Sequence, residues 1–253
     1  MTARVDVNAD LGESYGVYRI GNDDEMLNYV SSVNIACGFH AGDAGVMNRT
    51  VRAAVDRNVA IGAHPGFPDL IGFGRRDIHA SPSEVYDMVV YQICALQAFV
   101  SARGTEMQHV KPHGALYNQA SRDPDIAQAI AAAVYDVNPN LVLFGLSGSE
   151  LVSAGDKQGL RTASEVLADR TYQADGSLTP RSQANALLRD ADVVVQQALR
   201  MVREHKVRTP GGIDLSLKVD TICLHGDGDS ALDLARGLHT AFQQEGILIR
   251  SLL

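Results

Sequence analysis

The first strand-like run sets the pattern for the chain. Val5, Val7, Ala9 and Leu11 alternate with Asp6, Asn8 and Asp10, the period of two that sends successive side chains to opposite faces of a strand. Further strand candidates, after Arg4–Asn8, are Ser32–Cys37, Val59–Ala63, His109–Lys111, Leu141–Leu146, Arg161–Val166, Thr221–Leu224 and Ile247–Arg250. Helix candidates lie between them, near Asp24–Tyr29, Ala44–Asn58, Pro82–Arg103, Pro124–Asp136, Ser149–Gln158, Arg189–His205 and Ser230–Glu245. The longest is the clearest. Ser81-Pro82-Ser83-Glu84 reads as a capping box with proline in the first turn. Val85, Met88, Val89, Ile93, Leu96 and Val100 then form a stripe of helical period, on whose side Cys94 also falls, and Gly104 ends it. Repeated βα units imply a parallel sheet. Their number and regularity favour one closed α/β barrel domain, residues 1–253, over an open doubly wound sheet.

A parallel strand covered by helices is apolar on its outer face, so Asp6, Asn8 and Asp10 are expected to point into the barrel. The same reading puts Asn34 and His40 on the inner side of the second strand, against Val33, Ile35 and Cys37. It puts His109, Lys111 and His113 on one face of the fourth, and Cys223 and His225 on one face of the seventh. Nearly every strand thus ends in ionisable residues: Asp10 and Glu13, His40 and Asp43, His64, Lys111 and His113, His225 and Asp227. Chemistry at the C-terminal ends of several strands is where a barrel enzyme carries its active site. The long irregular stretches Gly12–Asn22, Pro65–Ala80 and Asp169–Gln183 all follow strands, as functional loops do.

Composition narrows the function. The net charge is −8 with no basic run, which argues against nucleic acid or an anionic membrane as partner. No window approaches the roughly 18 continuous apolar residues of a membrane span, and Met1-Thr2-Ala3-Arg4 has no signal-peptide core. Three cysteines, Cys37, Cys94 and Cys223, without a CxxC pair fit a reducing cytoplasm.

Several residues carry structural readings beside the chemical one. Asp43 precedes a helix and reads equally as an N-cap, as do Asp227 and Asp229 before the last helix. His64 and His113 sit where a loop-satisfied histidine is also found. An inward lysine needs a carboxylate or a task, and Glu165 is a candidate partner for Lys111. His79, His205 and His239 read as surface residues, and Cys37 as packing. Gly72-Phe73-Gly74 neither follows a strand nor opens a helix, so it is no dinucleotide fingerprint, and there is no Walker A motif.

Longer motifs resemble a known family. Asp6-Val7-Asn8-Ala9-Asp10-Leu11-Gly12-Glu13, Asn34-Ile35-Ala36-Cys37-Gly38-Phe39-His40-Ala41-Gly42-Asp43 and Ile61-Gly62-Ala63-His64-Pro65-Gly66-Phe67-Pro68-Asp69 resemble the LamB/YcsF family, to which the A component of the bacterial 5-oxoprolinase belongs. So do Val110-Lys111-Pro112-His113-Gly114-Ala115-Leu116-Tyr117-Asn118, Glu165-Val166-Leu167-Ala168-Asp169-Arg170-Thr171-Tyr172, Thr179-Pro180-Arg181-Ser182 and Cys223-Leu224-His225-Gly226-Asp227-Gly228. The resemblance implies an irregular seven-stranded β/α barrel similar to the glycoside hydrolase and deacetylase barrels. It implies ATP-dependent opening of 5-oxo-L-proline to L-glutamate, with ATP as co-substrate and the 5-oxoprolinase subunits B and C as partners. On that basis Asp10, His40, His64 and Lys111 are the expected catalytic residues: Asp10 as base, the histidines as proton shuttles, Lys111 facing the developing negative charge. Asn8, Glu13, Asp43, His113, Arg170, His225 and Asp227 are the expected substrate-binding set. The alternative is a metal-dependent hydrolase or deacetylase of a small amide or carbohydrate, with Asp10, His40 and His64 as ligands of a divalent metal. A scaffold that only activates its partners is a third reading.

Overall fold

A computed structural model describes residues 3–224 and 231–253. In chain order its elements are β1 (Arg4–Leu11), α1 (Asp23–Met26), β2 (Ser32–Ala36), α2 (Ala44–Asp56), β3 (Ala60–His64), α3 (Pro82–Ser101), β4 (His109–Val110), α4 (Gly114–Ala120), α5 (Pro124–Val137), β5 (Val142–Leu146), α6 (Glu150–Gln158), β6 (Arg161–Leu167), α7 (Ala191–Glu204), β7 (Lys206–Arg208), β8 (Asp214–Ser216), β9 (Thr221–Leu224), α8 (Ala231–Gln244) and β10 (Leu248–Ile249). Strands β1 to β6 and β9 pair in parallel, and β9 pairs back onto β1 from Asp6↔Thr221 to Ala9↔Leu224, which closes a seven-stranded barrel. The Ile247–Arg250 candidate is not a stave. It is β10, which pairs with Arg4 and Val5 beside β9.

The alternation in β1 has the expected consequence. Val5, Val7, Ala9 and Leu11 join the core beneath the helices, while Asp6, Asn8 and Asp10 are buried inside the barrel. Buried polar groups need partners, and the interior supplies them in layers. The carboxylate of Asp6 accepts from the hydroxyls of Ser31, Ser32 and Thr221. Above it, Asn8 Nδ2 donates to Glu165 Oε1 (2.9 Å) and Asn34 Nδ2 to Asn8 Oδ1 (2.7 Å). Register aligns Asp10, Asn34, Gly62 and His109 across β1 to β4. Gly62 is required there, because a Cβ would land on the His109 ring, which reaches Asn34 Oδ1 at 2.8 Å and stacks on Phe144.

Helix α3 starts with the capping box read from the sequence, but its buried side is Val85, Val89, Gln92, Ile93, Leu96 and Val100, and Cys94 is exposed. At a helical 100° per residue Cys94 lies one step beyond Ile93, outside the stripe. Gln92, polar yet fully buried, bonds both the N–H and the carbonyl of Gly66 (2.9 Å each) and so pins the loop after His64. Strand β4 has only two laddered residues because Pro112 has no N–H to give. Lys111 and His113 are nevertheless held in line, their N–H groups donating to Ala63 O (2.9 Å) and Pro65 O (2.8 Å). Helix α4 and the antiparallel β7–β8 hairpin have no counterpart among the elements expected from the sequence. Among the described residues no helix is long and apolar enough to cross a membrane.

Candidate functional site

At the C-terminal end of the barrel the inward side chains of β1, β3, β6, β9 and the β4 extension converge. Lys111 is the hub. Its Nζ lies 3.0 Å from Asp10 Oδ1, 3.0 Å from Glu165 Oε1, 3.2 Å from Asn8 Oδ1 and 2.9 Å from Cys223 Sγ. Burial works against its charge, but the Asp10 and Glu165 carboxylates, with the hydrogen bond to Cys223, outweigh it and hold the ammonium well above the usual lysine range. Burial pushes the Cys223 thiol well up, with Lys111 opposing; we read that sulfur as a neutral acceptor. Glu165 also accepts from Tyr117 Oη at 2.7 Å. The remaining Asp10 oxygen, Oδ2, faces His64 Nε2 at 3.3 Å.

A histidine cluster adjoins this network. His64 Nδ1 lies 2.7 Å from the Lys111 carbonyl, and His113 Nε2 lies 2.8 Å from the Phe73 carbonyl. His113 Nδ1 meets His64 Nε2 at 2.9 Å, and its ring stacks on His40 with centroids 3.7 Å apart. His40 Nε2 is 3.1 Å from Glu13 Oε1, which is also 3.5 Å from His113 Nδ1. Burial first, then the neighbouring rings, hold His40 and His113 well below the ordinary imidazole range, so both stay neutral. Glu13, His40, His64 and His113 each offer one ligand atom within 4.8 Å of the others, a spacing that one metal ion can share.

The turn over this cluster was not legible as a functional motif. Phe73 and Gly74 both have left-handed backbones (φ 54 and 62). A Cβ on Gly74 would crowd His40 Cβ (2.7 Å) and His113 Cδ2 (2.8 Å), and the Phe73 ring stands edge-on to both histidines. Only a backbone bent this way brings the Phe73 carbonyl onto His113.

A cavity of about 840 Å³ opens beside these groups, lined by Asp10, His64, Lys111, His113, Arg75 and Arg170 among others. That is near the upper end of the range of small-molecule sites. Asn8, Glu13 and His40 stand behind its wall. Arg170 is buried, its guanidinium donating to Ala186 O (3.1 Å) and Thr179 O (2.6 Å). Burial, with Arg181 nearby, lowers it to about 10. Asp43 does not join the site. It caps α2, accepting from the N–H groups of Gly45 and Val46, and ties in Gly16 N at 2.7 Å. His225 and Asp227 lie outside the described residues.

The sequence profile of the LamB/YcsF family matches residues 5–253. This chain belongs to the LamB/YcsF family. A relative from Geobacillus kaustophilus (strain HTA426), described as the A component of 5-oxoprolinase, is 62% identical over 98% of this chain and 96% of its own length. Another so described, from Bacillus subtilis (strain 168), is 56% identical over 98% of this chain and 97% of its own length. Among solved structures, the lactam utilization protein from Thermus thermophilus superposes with a TM-score of 0.94 at 46% identity, covering 98% of this chain and 100% of that one. A family 4 carbohydrate esterase from Streptomyces lividans, at 14% identity and a TM-score of 0.50 over 99% of this chain and 93% of its own, shares the barrel fold with this LamB/YcsF member.

Proposed function

We propose that this barrel hydrolyses the lactam bond of 5-oxo-L-proline, giving L-glutamate, as the A component of an ATP-dependent complex with subunits B and C in the cytoplasm. The observation that carries the reading is the Asp10–Lys111–His64 wall: a carboxylate, an ammonium and an imidazole held side by side on one cavity. The names of the relatives point the same way. Hydrolysis needs a water that loses a proton, a carbonyl oxygen that gains negative charge, and a ring nitrogen that gains a proton as its C–N bond breaks. Asp10 Oδ2 and His64 Nε2 are adjacent acceptors on the wall, suited to orient that water and take its proton, which His64 then returns to the ring nitrogen. Lys111, fixed by four partners, meets the charge on oxygen without reorganising. His40, behind the wall, acts through His113 and Glu13 as a positioning residue. Arg170 and Arg75, which line the cavity, favour an anion, either the substrate carboxylate or a phosphoryl group added by the partners.

An unactivated ring amide is a poor electrophile. The isolated chain is therefore expected to release little glutamate from 5-oxoproline, with or without ATP, while adding subunits B and C gives coupled release of glutamate, ADP and phosphate. Equal turnover by the isolated chain would overturn the division of labour. Full activity of B and C without this chain would remove it from the hydrolytic role.

A further inference from the structure

The histidine cluster poses a protonation problem that the lactam reading does not use. A backbone carbonyl only accepts, so the ring nitrogen facing it carries the hydrogen. His64 is therefore protonated on Nδ1, toward Lys111 O, and His113 on Nε2, toward Phe73 O. A ring that carries only that one hydrogen presents its other nitrogen as a lone pair. The nitrogens so presented are His64 Nε2 and His113 Nδ1, and they face each other at 2.9 Å. Glu13 Oε1, 3.5 Å from His113 Nδ1, and Asp10 Oδ2, 3.3 Å from His64 Nε2, are further acceptors on the same spot. His40 Nε2 lies 3.1 Å from Glu13 Oε1, which only accepts, so the metal-free ring carries its hydrogen there while its Nδ1 is buried with no hydrogen-bond partner; an ion taken up at Nε2 displaces that proton. Acceptors converging on acceptors repel unless something positive sits among them. A ring N–H anchored on a backbone carbonyl, with the opposite nitrogen aimed inward, is how a ligating histidine is oriented.

We propose that Glu13 Oε1, His40 Nε2, His64 Nε2 and His113 Nδ1 bind one divalent first-row transition-metal ion. Bond lengths of about 2.1 Å in a tetrahedron separate ligand atoms by about 3.4 Å. Three of the donor separations, 2.9, 3.1 and 3.5 Å, lie near that value, and all four atoms fall within 4.8 Å, so binding would draw the widest pair together and turn the nearly parallel His40 and His113 rings to aim at one ion. Three imidazoles and one carboxylate suit zinc, cobalt, nickel or iron and are poor ligands for magnesium or calcium. This set differs from Asp10, His40 and His64. Asp10 Oδ1 is already held by Lys111 and by Asn34 Nδ2 (2.8 Å), so Asp10 stays beside the ion, paired with its ammonium. Two ligands, His64 and His113, line the cavity, and the ion would lie in its wall; with it bound, His64 Nε2 would be committed to the ion, leaving Asp10 Oδ2 to take the proton from water and return it to the ring nitrogen.

The test needs neither substrate nor partner subunits, so its failure leaves the lactam reading standing. The full chain, stripped with a chelator and checked for retained fold by circular dichroism, is titrated with Co2+ and with Zn2+. One equivalent should bind by calorimetry, with visible absorption of four- or five-coordinate Co2+. Glu13→Gln and His113→Asn should each weaken binding by at least about tenfold. A crystal of the unaltered chain grown with Co2+ should show anomalous density among the four donor atoms, which keeps the proposal testable if a variant fails to fold. Absence of binding by the folded chain, or density elsewhere, overturns it.

Discussion

Lys111 Nζ and Asp10 Oδ1 are 3.0 Å apart, joining inward side chains that lie 101 residues apart in sequence. Both groups are almost fully buried, and Glu165 shares the same ammonium. Removing one partner from a buried network costs far more than the net worth of the pair, because the charge left behind has no compensation. Lys111→Met is expected to lower unfolding free energy by roughly 3–5 kcal/mol and the partner-dependent glutamate release by about 10² or more. Asp10→Asn, which keeps the bond to Lys111 through its amide oxygen, should lose activity to a similar degree with a smaller loss of stability. Urea unfolding and the reconstituted assay measure the two effects. A Lys111→Met protein with unchanged turnover would remove the ammonium from the chemistry.

The cysteines are expected to be dispensable. Burial pushes the Cys37 thiol up to about 12 and raises Cys223 well above its ordinary range, so neither supplies thiolate at neutral pH. Cys94 is exposed on α3, away from the cavity. Iodoacetamide should label Cys94 alone in the folded chain, without loss of partner-dependent activity, and Cys223→Ser should keep substantial turnover. A thioester trapped on Cys223 would refute this.

The polar interior was legible because it obeys a period of two. Asp6, Asn8 and Asp10 could be assigned to one face of β1 from spacing alone, and Lys111 with His109 likewise. The Glu165 partner of Lys111 was legible too, since an inward ammonium demands a carboxylate. What lay beyond reach is set by backbone that has no period. The Phe73 carbonyl that fixes His113 exists only because two left-handed residues turn there. The Gln92 clamp on Gly66 depends on α3 packing against the loop after β3. Asp43 had two readings of equal sequence support, and only the position of the Gly45 and Val46 N–H groups shows that it caps the helix. Cys94 was misplaced by a single 100° step around α3.

Stability should depend on pH through His109. Burial, with Lys111 next, lowers its imidazole to about 3, whereas in the unfolded chain it titrates near about 6.5. The unfolded state therefore takes up a proton that the folded state refuses, and stability falls as pH drops from about 6.5 toward 3, by up to about 1.4 kcal/mol per unit. His109→Gln lacks this dependence. Between about pH 7 and pH 5 its deficit relative to the unaltered chain should narrow by about 2 kcal/mol, read as the difference of two urea curves at each pH. A constant gap would mean that His109 is not held neutral.

Gly62 supplies the sharpest packing test. It is the residue of β3 that pairs with His109 of β4, and its missing side chain is the space the His109 ring occupies on the way to Asn34. Neither strand can retreat, because Gly62 also pairs with Asn34 and His109 also pairs with Val142. Gly62→Ala must therefore displace the imidazole, break its bond to Asn34 and disturb its stack on Phe144. Overpacking of this kind costs about 1–3 kcal/mol, and the orphaned Asn34 oxygen adds about 1–3 kcal/mol more. The damage should be specific to the ring. In a His109→Ala background the same Gly62→Ala change has room for its methyl group and should cost far less. A double-mutant cycle on unfolding free energy measures the coupling, expected at about 2 kcal/mol or more for residues that share one space. Additive effects would mean that the methyl group finds room elsewhere and that Gly62 is not what admits His109 to the barrel interior.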